Sequence, residues 1–152
     1  MKKLILVRYG QWRAQHLSEE GVGVMYLTAE RLKAVLQGLT FRIISAEIPR
    51  AIESAEILAK FLKASSVEKY SELYAAEEDG RLADPAAALN IITSVGQHYD
   101  VVVTVVSREY IETLPQFIFT YVFAGQKLPK AQLDRGEALV IDFETRAIRR
   151  LD

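Results

Sequence analysis

Residues 4–11 read LILVRYGQ, and this stretch decides the expected fold. Its first four residues are apolar without alternation, which is typical of a strand that is buried on both faces of a sheet. Arg8 and Tyr9 follow at the carboxyl end of this strand, and Gly10 supplies the backbone freedom to turn out of the sheet. Open α/β sheets bind their ligands beyond the carboxyl ends of their strands. Arg8 and Tyr9 are therefore candidate site residues.

Two later stretches repeat this arrangement of a strand and then an arginine. Residues 41–59 read FRIISAEIPRAIESAEILA, a strand followed by a helix that Pro49 and Arg50 open. Residues 101–109 read VVVTVVSRE, a valine-rich strand that Arg108 follows after one serine. Because the carboxyl ends of parallel strands meet at one edge of a sheet, we expect the side chains of Arg8, Arg50 and Arg108 to converge there.

These three stretches, together with residues 136–143 (GEALVIDF), resemble the histidine phosphatase superfamily, whose fold is called phosphoglycerate mutase-like. The resemblance covers nearly the whole chain in the right order, and the compact spacing is similar to that of the small phosphohistidine phosphatases. It implies an α/β fold, a three-layer sandwich with a mainly parallel central sheet. We found no repeat, linker or low-complexity tract, so residues 1–152 are expected to form a single domain.

In that family, a histidine after the first arginine attacks a phosphoryl group, and a second histidine and two arginines hold the phosphate oxygens. Arg8 and Arg50 match the two arginines, whereas Tyr9 stands at the position of the nucleophile and Arg108 at that of the second histidine. The resemblance thus implies that Arg8, Tyr9, Arg50 and Arg108 bind phosphate while both catalytic histidines are replaced. Three clustered guanidinium groups repel one another, so the sequence predicts either a bound anion or compensation by a carboxylate such as that of Glu109.

The chemistry of these replacements disfavours turnover by the family's route. A phenol is almost entirely protonated at neutral pH, and an arginine does not release its proton to a leaving group. The leading hypothesis is a catalytically inactive protein that binds a phosphorylated small molecule or a phosphoprotein. Two alternatives stay open: an active phosphatase for phosphomonoesters or phosphohistidine that uses Tyr9 or a displaced histidine, and an interaction module in which the aromatic segment 110–123 mediates assembly.

Other residues near the motifs have open roles. His16 lies in the segment after the first motif, where it either folds over the site or is a surface histidine. His98 precedes the valine-rich strand, and the strand's length places it roughly 20 Å from the opposite, carboxyl end. Trp12 either lines the mouth of the pocket or makes a separate hydrophobic contact. The larger members of the family draw an acid from the part of the chain that here holds Glu72, Glu77 and Glu78.

Composition limits the kinds of partner that are expected. The 152 residues include 19 basic and 20 acidic side chains, a net charge of −1 that provides no overall attraction to nucleic acid or to acidic lipid. The chain has no cysteine, which excludes disulfides and thiolate metal sites. We expect neither a metal nor another cofactor. The apolar stretch after Lys3 is too short for a signal peptide or a membrane span. We therefore expect a cytoplasmic protein without nucleic-acid or membrane partners.

The apolar periodicity predicts where helices begin. Thr28 is expected to cap a helix with Leu32, Val35, Leu36 and Leu39 on its buried face, although residues 17–21 (LSEEG) are a second possible start. Asp84 and Pro85 predict an N-cap and first residue of a helix that runs to about Thr93 and that Gly96 helps to end.

The last third of the chain predicts one more helix and a hairpin. Residues 109–123 have a helical pattern, and Pro115 is expected to kink or delimit that helix. Residues 138–143 and 147–151 are expected to form a terminal hairpin around Glu144 and Thr145.

Overall fold

The computed structural model describes residues 1–125 and 131–152. In chain order, its strands are β1 (Lys3–Arg8), β2 (Trp12–Arg13), β3 (His16–Leu17), β4 (Phe41–Ala46), β5 (Glu68–Tyr70), β6 (Val101–Val106), β7 (Ala138–Asp142) and β8 (Ala147–Arg150). Within the described ranges, six of them form one sheet in the order β5–β4–β6–β1–β7–β8, and β2 pairs with β3 in a separate hairpin. The four strands from β5 to β1 are parallel to one another, and β7 and β8 are antiparallel to their neighbours. The predicted mainly parallel sheet is confirmed.

The helices are α1 (Glu19–Leu36), α2 (Pro49–Leu62), α3 (Pro85–Gly96) and α4 (Arg108–Phe117). Helices α1 and α2 pack against each other, and α3 packs against α4. Helix α2 connects β4 to its neighbour β5 at the edge of the sheet, and α3 connects β5 back to β6 near the centre. The two connections therefore run in opposite directions along the sheet. Because crossovers between parallel strands are right-handed, these two helices cover opposite faces of the sheet. The result is the expected α/β sandwich of three layers.

The first and third motif strands lie side by side at the centre of this sheet. Residues Leu4 to Val7 of β1 are fully buried, and every residue of β6 is buried as well. Strand β6 lies between β1 and β4, and the three run in the same direction. Their carboxyl ends therefore meet at one edge of the sheet, directly beyond which the motif arginines follow.

The prediction that Thr28 caps the first helix is wrong, and the second possible start, within residues 17–21, is confirmed. Helix α1 begins at Glu19, and its N-cap Ser18, ten residues before Thr28, accepts a hydrogen bond from the Gly21 N–H at 3.1 Å. Thr28 is buried in mid-helix, where its hydroxyl donates to the carbonyl oxygen of Gly136. Leu39 lies beyond the helix end. The periodicity of apolar residues extends to both sides of Thr28, so it marks the buried face of the helix but not its start.

The other predicted helix starts agree with the structure. Pro49 is the first residue of α2, and Asp84 caps α3 by accepting a hydrogen bond from the Ala87 N–H. Helix α3 continues past Thr93 and has Gly96 as its last residue. Helix α4 continues past Pro115 to Phe117 and passes into a π-helical turn at Ile118–Val122.

The aromatic segment at the end of α4 is partly buried in the core and partly exposed. Phe123 is buried and packs edge-on against Phe119 and Phe143. Tyr121 is 74% exposed and lies against the ring of Phe117. The terminal hairpin of β7 and β8 forms as predicted. In the described part of the chain, no helix has the length and apolar character that crossing a membrane requires.

Candidate functional site

The four residues predicted from the motifs line one cavity at the carboxyl edge of the sheet. Arg8 is the last residue of β1, Arg50 the second of α2 and Arg108 the first of α4. Together with Tyr9 they line a space of about 340 Å³, which we call the arginine cavity. The tertiary structure thus brings together residues that are up to a hundred positions apart in sequence. Whether they bind phosphate there stays a prediction.

Hydrogen bonds between the motifs hold this edge together. The N–H of Gly10 donates to the Ser54 hydroxyl at 3.2 Å, and that hydroxyl donates to the carbonyl oxygen of Arg50 at 2.7 Å. On the other side, the N–H of Gly136 donates to the carbonyl oxygens of Arg8 and Tyr9. The loop after β1 is therefore fixed between α2 and the start of β7.

Arg50 is the most enclosed cation of the cavity, with only 7% of its surface exposed. Its guanidinium carbon lies 4.3 Å from the centre of the Trp12 ring and 4.9 Å from that of Tyr9. Such cation–π contacts stabilise a guanidinium without using its N–H donors. Nη1 donates to Gln15 Oε1 at 2.7 Å, whereas the buried Nε has no hydrogen-bond partner in the described structure. A buried donor without a partner favours a ligand that brings an acceptor.

Gln15 reaches Arg50 from the tip of the β2–β3 hairpin. The two tip residues, Ala14 and Gln15, have φ angles of 50° and 74°, a region that glycine and asparagine normally occupy in such two-residue turns. Ala14 and Gln15 both carry a Cβ and are neither glycine nor asparagine, so holding them in this region costs conformational energy. The contact to Arg50 and the pairing of Trp12 with Leu17 at the base of the hairpin offset that cost.

Arg8 lies among other cations. Its Nη1 donates to the carbonyl oxygen of Leu133 at 2.6 Å. Burial and then the neighbouring guanidinium groups, Arg135 first and Arg108 after it, lower the pKa of Arg8 below its usual range. The same neighbours that disfavour a further positive charge favour a bound anion, because an anion between them relieves their repulsion.

Arg108 is partly neutralised by carboxylates. It is half exposed, with Nη2 lying 3.5 Å from Glu109 Oε1 and Nε 3.7 Å from Glu112 Oε1. Glu109 is buried and lines the arginine cavity. Of the three arginines that the sequence singled out, Arg108 is thus the one that Glu109 lies beside.

Sequence reasoning missed a fourth arginine. Arg135 lines the cavity, and its guanidinium carbon lies 5.9 Å from the centre of the Trp12 ring. The sequence did hold a signal for this arginine, because Arg135 directly precedes residues 136–143, the last of the stretches that resemble the family. The charge at the cavity is nevertheless close to balance. Among the described lining residues, four arginines (Arg8, Arg50, Arg108, Arg135) face three carboxylates (Glu78, Asp79, Glu109).

The fold is similar to that of solved phosphatases. The protein histidine phosphatase SixA complexed with tungstate superposes with a TM-score of 0.71 at 14% identity, over 97% of this chain and 93% of that one. A mycobacterial glucosyl-3-phosphoglycerate phosphatase complexed with VO3 gives 0.68 at 16% identity, over 99% and 96% of the two chains. The chain has the histidine phosphatase fold. The phosphoglycerate mutase from Plasmodium falciparum is also similar, with a TM-score of 0.53 at 18% identity over 99% and 89%.

The similarity of the chain to these proteins is a similarity of fold. The sequence matches no protein-family model and no curated protein. The prediction of a phosphoglycerate mutase-like fold is confirmed.

No histidine lines the arginine cavity of this histidine phosphatase fold. Both histidines of the chain lie in the described ranges. Nδ1 of His16 lies 3.0 Å from Glu53 Oε1, and the side chain is 66% exposed on the flank of α2. His98 follows α3 and precedes the amino end of β6, as the sequence predicted. Neither is among the residues that line the cavity.

The acidic loop residues divide between the cavity and the surface. Glu78 lines the arginine cavity, and so does Asp79, which the sequence had not singled out. Glu72 and Glu77 are exposed and are not among the lining residues that the structure describes. Trp12, whose position the sequence left open, lines the cavity through its contact with Arg50.

Proposed function

We propose that the protein binds a phosphorylated small molecule or phosphoprotein through the arginine cavity and does not turn it over. One observation carries this proposal: Arg8, Arg50 and Arg108 share one cavity with Tyr9, and neither histidine lines it. The guanidinium group is planar and donates to two oxygens at once, which suits a tetrahedral phosphoryl group.

The state of Arg50 supports an anionic ligand. Its unpartnered Nε is buried, and aromatic rings rather than carboxylates lie against its guanidinium. An arginine that serves only the fold normally has its donors satisfied by carboxylates or carbonyls. Arg50 instead presents its charge at the cavity wall without an ion pair to any carboxylate that the structure describes, and a phosphate is a fitting partner for that charge.

The residues around Tyr9 support the absence of turnover. Covalent phosphoryl transfer needs a nucleophile that is unprotonated, and a base near it can activate a weak one. The ring of Tyr9 packs against the Arg50 guanidinium, a cation that cannot accept its proton. Arg108, at the position of the family's second histidine, is likewise unable to exchange a proton near neutral pH.

One observation favours the alternative of an active phosphatase. Glu78 and Asp79 lie in the same cavity as Tyr9 and the arginines, so a general acid for a leaving group is available. In that case the Tyr9 hydroxyl is the nucleophile, and its removal abolishes turnover.

Two measurements on the same protein separate these functions. Trp12 is the single tryptophan of the chain and lies in the cavity, so its fluorescence reports binding of inorganic phosphate there. We expect saturable quenching or enhancement by phosphate. We also expect hydrolysis of p-nitrophenyl phosphate and phosphohistidine no faster in the parent than in Tyr9→Phe. A parent that does not bind phosphate contradicts the binding function, and turnover that disappears in Tyr9→Phe establishes the alternative.

A further inference from the structure

Helices α1 and α2 expose large apolar side chains next to each other. Val22 and Tyr26 of α1 and Phe61 of α2 are each 36–38% exposed. The ring centres of Tyr26 and Phe61 lie 6.4 Å apart in an edge-on contact. Apolar side chains that are exposed as a group, rather than singly, mark interaction surfaces. We call these three residues the helix patch.

Two open cavities flank the helix patch along the direction of the helices. The amino-end cavity has a volume of about 340 Å³, and Val22 and Tyr26 lie in its wall. The carboxyl-end cavity has a volume of about 610 Å³, and its wall includes Phe61 and the last turns of both helices. Because Tyr26 lines the first cavity and Phe61 the second, their ring contact marks the boundary between them.

The two cavities have net charges of opposite sign. Among its described lining residues, the amino-end cavity has two carboxylates and one lysine, a net charge of −1: Glu53, Glu56 and Lys60. The carboxyl-end cavity has one carboxylate and two lysines, a net charge of +1: Glu30, Lys33 and Lys63. Of these six side chains, Glu53 alone has an ion pair in the described part of the chain, with His16. The other five charges are available to a partner.

A second copy of this chain offers the complementary charges. In a homodimer with a two-fold axis, a surface patch faces the same patch of the other copy. If the axis lies parallel to the helices, each cavity faces its own equivalent and like charges meet. If the axis crosses the helices at right angles near the ring contact, the amino-end cavity of each copy faces the carboxyl-end cavity of the other. Opposite charges then meet at both ends of the interface, which favours this second arrangement.

We infer that the helix patch is the interface of a homodimer in which α1 and α2 of one copy lie antiparallel to those of the other. The apolar side chains of both copies form its centre and the charges of the cavities its polar rim, as in specific protein interfaces. The inference does not depend on the proposed function, because the two flanking cavities share no described lining residue with the arginine cavity.

The test reverses one charge at each end of the interface. Sedimentation velocity of the parent at concentrations up to about 200 μM is expected to show a monomer–dimer equilibrium. In Glu56→Lys, and likewise in Lys63→Glu, like net charges meet at both ends of the dimer. Each variant alone should therefore have a dissociation constant at least about tenfold higher than that of the parent.

An equimolar mixture of these two variants should associate nearly as well as the parent. In the mixed dimer, the altered cavity of each variant faces a cavity of opposite net charge in the other variant, so attraction returns at both ends. The control Glu144→Lys makes the same change of charge at an exposed residue between β7 and β8, outside both cavities, and should leave the dissociation constant unchanged. Phe61→Ser removes the ring without a change of charge and should also weaken the association.

A parent that stays monomeric at every concentration overturns the inference. A dimer that neither charge variant weakens overturns it too, because the copies then associate through another face. The same conclusion follows if both variants are folded by circular dichroism but their mixture associates no better than either alone. If a charge variant does not fold, Phe61→Ser decides, and parent-like association of that folded variant overturns the inference.

Discussion

Replacing Arg50 by methionine tests the anion site at its most enclosed residue. Methionine has a similar length and no charge, and it suits the space between the Trp12 and Tyr9 rings because thioethers pack well against aromatic rings. A hydrogen bond to a charged group contributes about 1.5–3 kcal/mol, so its loss corresponds to about a ten- to hundredfold weaker phosphate affinity.

The same substitution should leave the fold largely intact. The variant loses cation–π contacts, which contribute about 0.5–2 kcal/mol, and the hydrogen bond to Gln15 at the exposed hairpin tip, and removal of the buried, unpartnered Nε offsets part of this loss. We therefore expect a small change in the free energy of unfolding together with a large change in the dissociation constant. Arg50→Lys should lie between parent and methionine variant in affinity, because lysine keeps the charge but loses the planar fork.

The assay is calorimetric titration with inorganic phosphate, alongside urea denaturation of each variant. Arg149→Met is the matched control, since Arg149 is exposed on β8 and does not line the arginine cavity. Parent affinity in a folded Arg50→Met variant would refute the reasoning, because it would show that the guanidinium makes no contact with the anion.

Three further predictions address ancestry, packing and pH dependence. The double variant Tyr9→His with Arg108→His should form phosphohistidine at position 9 and hydrolyse it faster than either single variant, since residues of one catalytic unit act non-additively. A folded double variant that binds phosphate but never forms phosphohistidine at position 9 would contradict this. Gly21→Ala places a Cβ against the backbone of the loop after β1 and should destabilise by about 1–3 kcal/mol, whereas Gly23→Ala in the same helix meets open space and should stabilise by about 0.5–1 kcal/mol, both measured by urea denaturation. Burial raises the pKa of Tyr110 above its ordinary value, so the contribution of the neutral phenol to the free energy of unfolding is full below about pH 10 and is lost as pH rises through the folded pKa. Between pH 8 and 11 the free energy of unfolding should therefore fall more steeply in the parent than in Tyr110→Phe. Parallel curves for the two proteins would contradict this.

The sequence was sufficient for the central strands of the sheet and for placing Arg8, Arg50 and Arg108 beyond strand ends. Uninterrupted apolar runs require burial on both faces, so they marked β1 and β6 as central strands. An arginine that directly follows such a strand can only lie at its carboxyl edge. Local patterns of this kind depend on neighbours in sequence, which is why Arg8 and Arg108 could be placed without a structure.

The start of α1 shows where local patterns do not suffice. Ser18 and Thr28 both precede apolar periodicity, and both carry a hydroxyl that caps helices well. The choice depends on Gly21, whose missing side chain lets the helix lie against the backbone of Gln11. That contact joins two segments in three dimensions, and the sequence shows the glycine but not the backbone against which it lies.

By itself, the sequence predicted the central strands and the helices between them, and its resemblance to the family implies that Tyr9 and Arg108 stand where the family has its two histidines. Only the tertiary structure decided the electrostatic state of the site: the stacking of Arg50 on Trp12, its hydrogen bond to Gln15, and the arrival of Arg135 beside Arg8. The reason is physical. Secondary structure follows from interactions along a few residues of chain, whereas the charge and the free donors of a cavity depend on which distant side chains the packed fold brings within a few ångströms of one another.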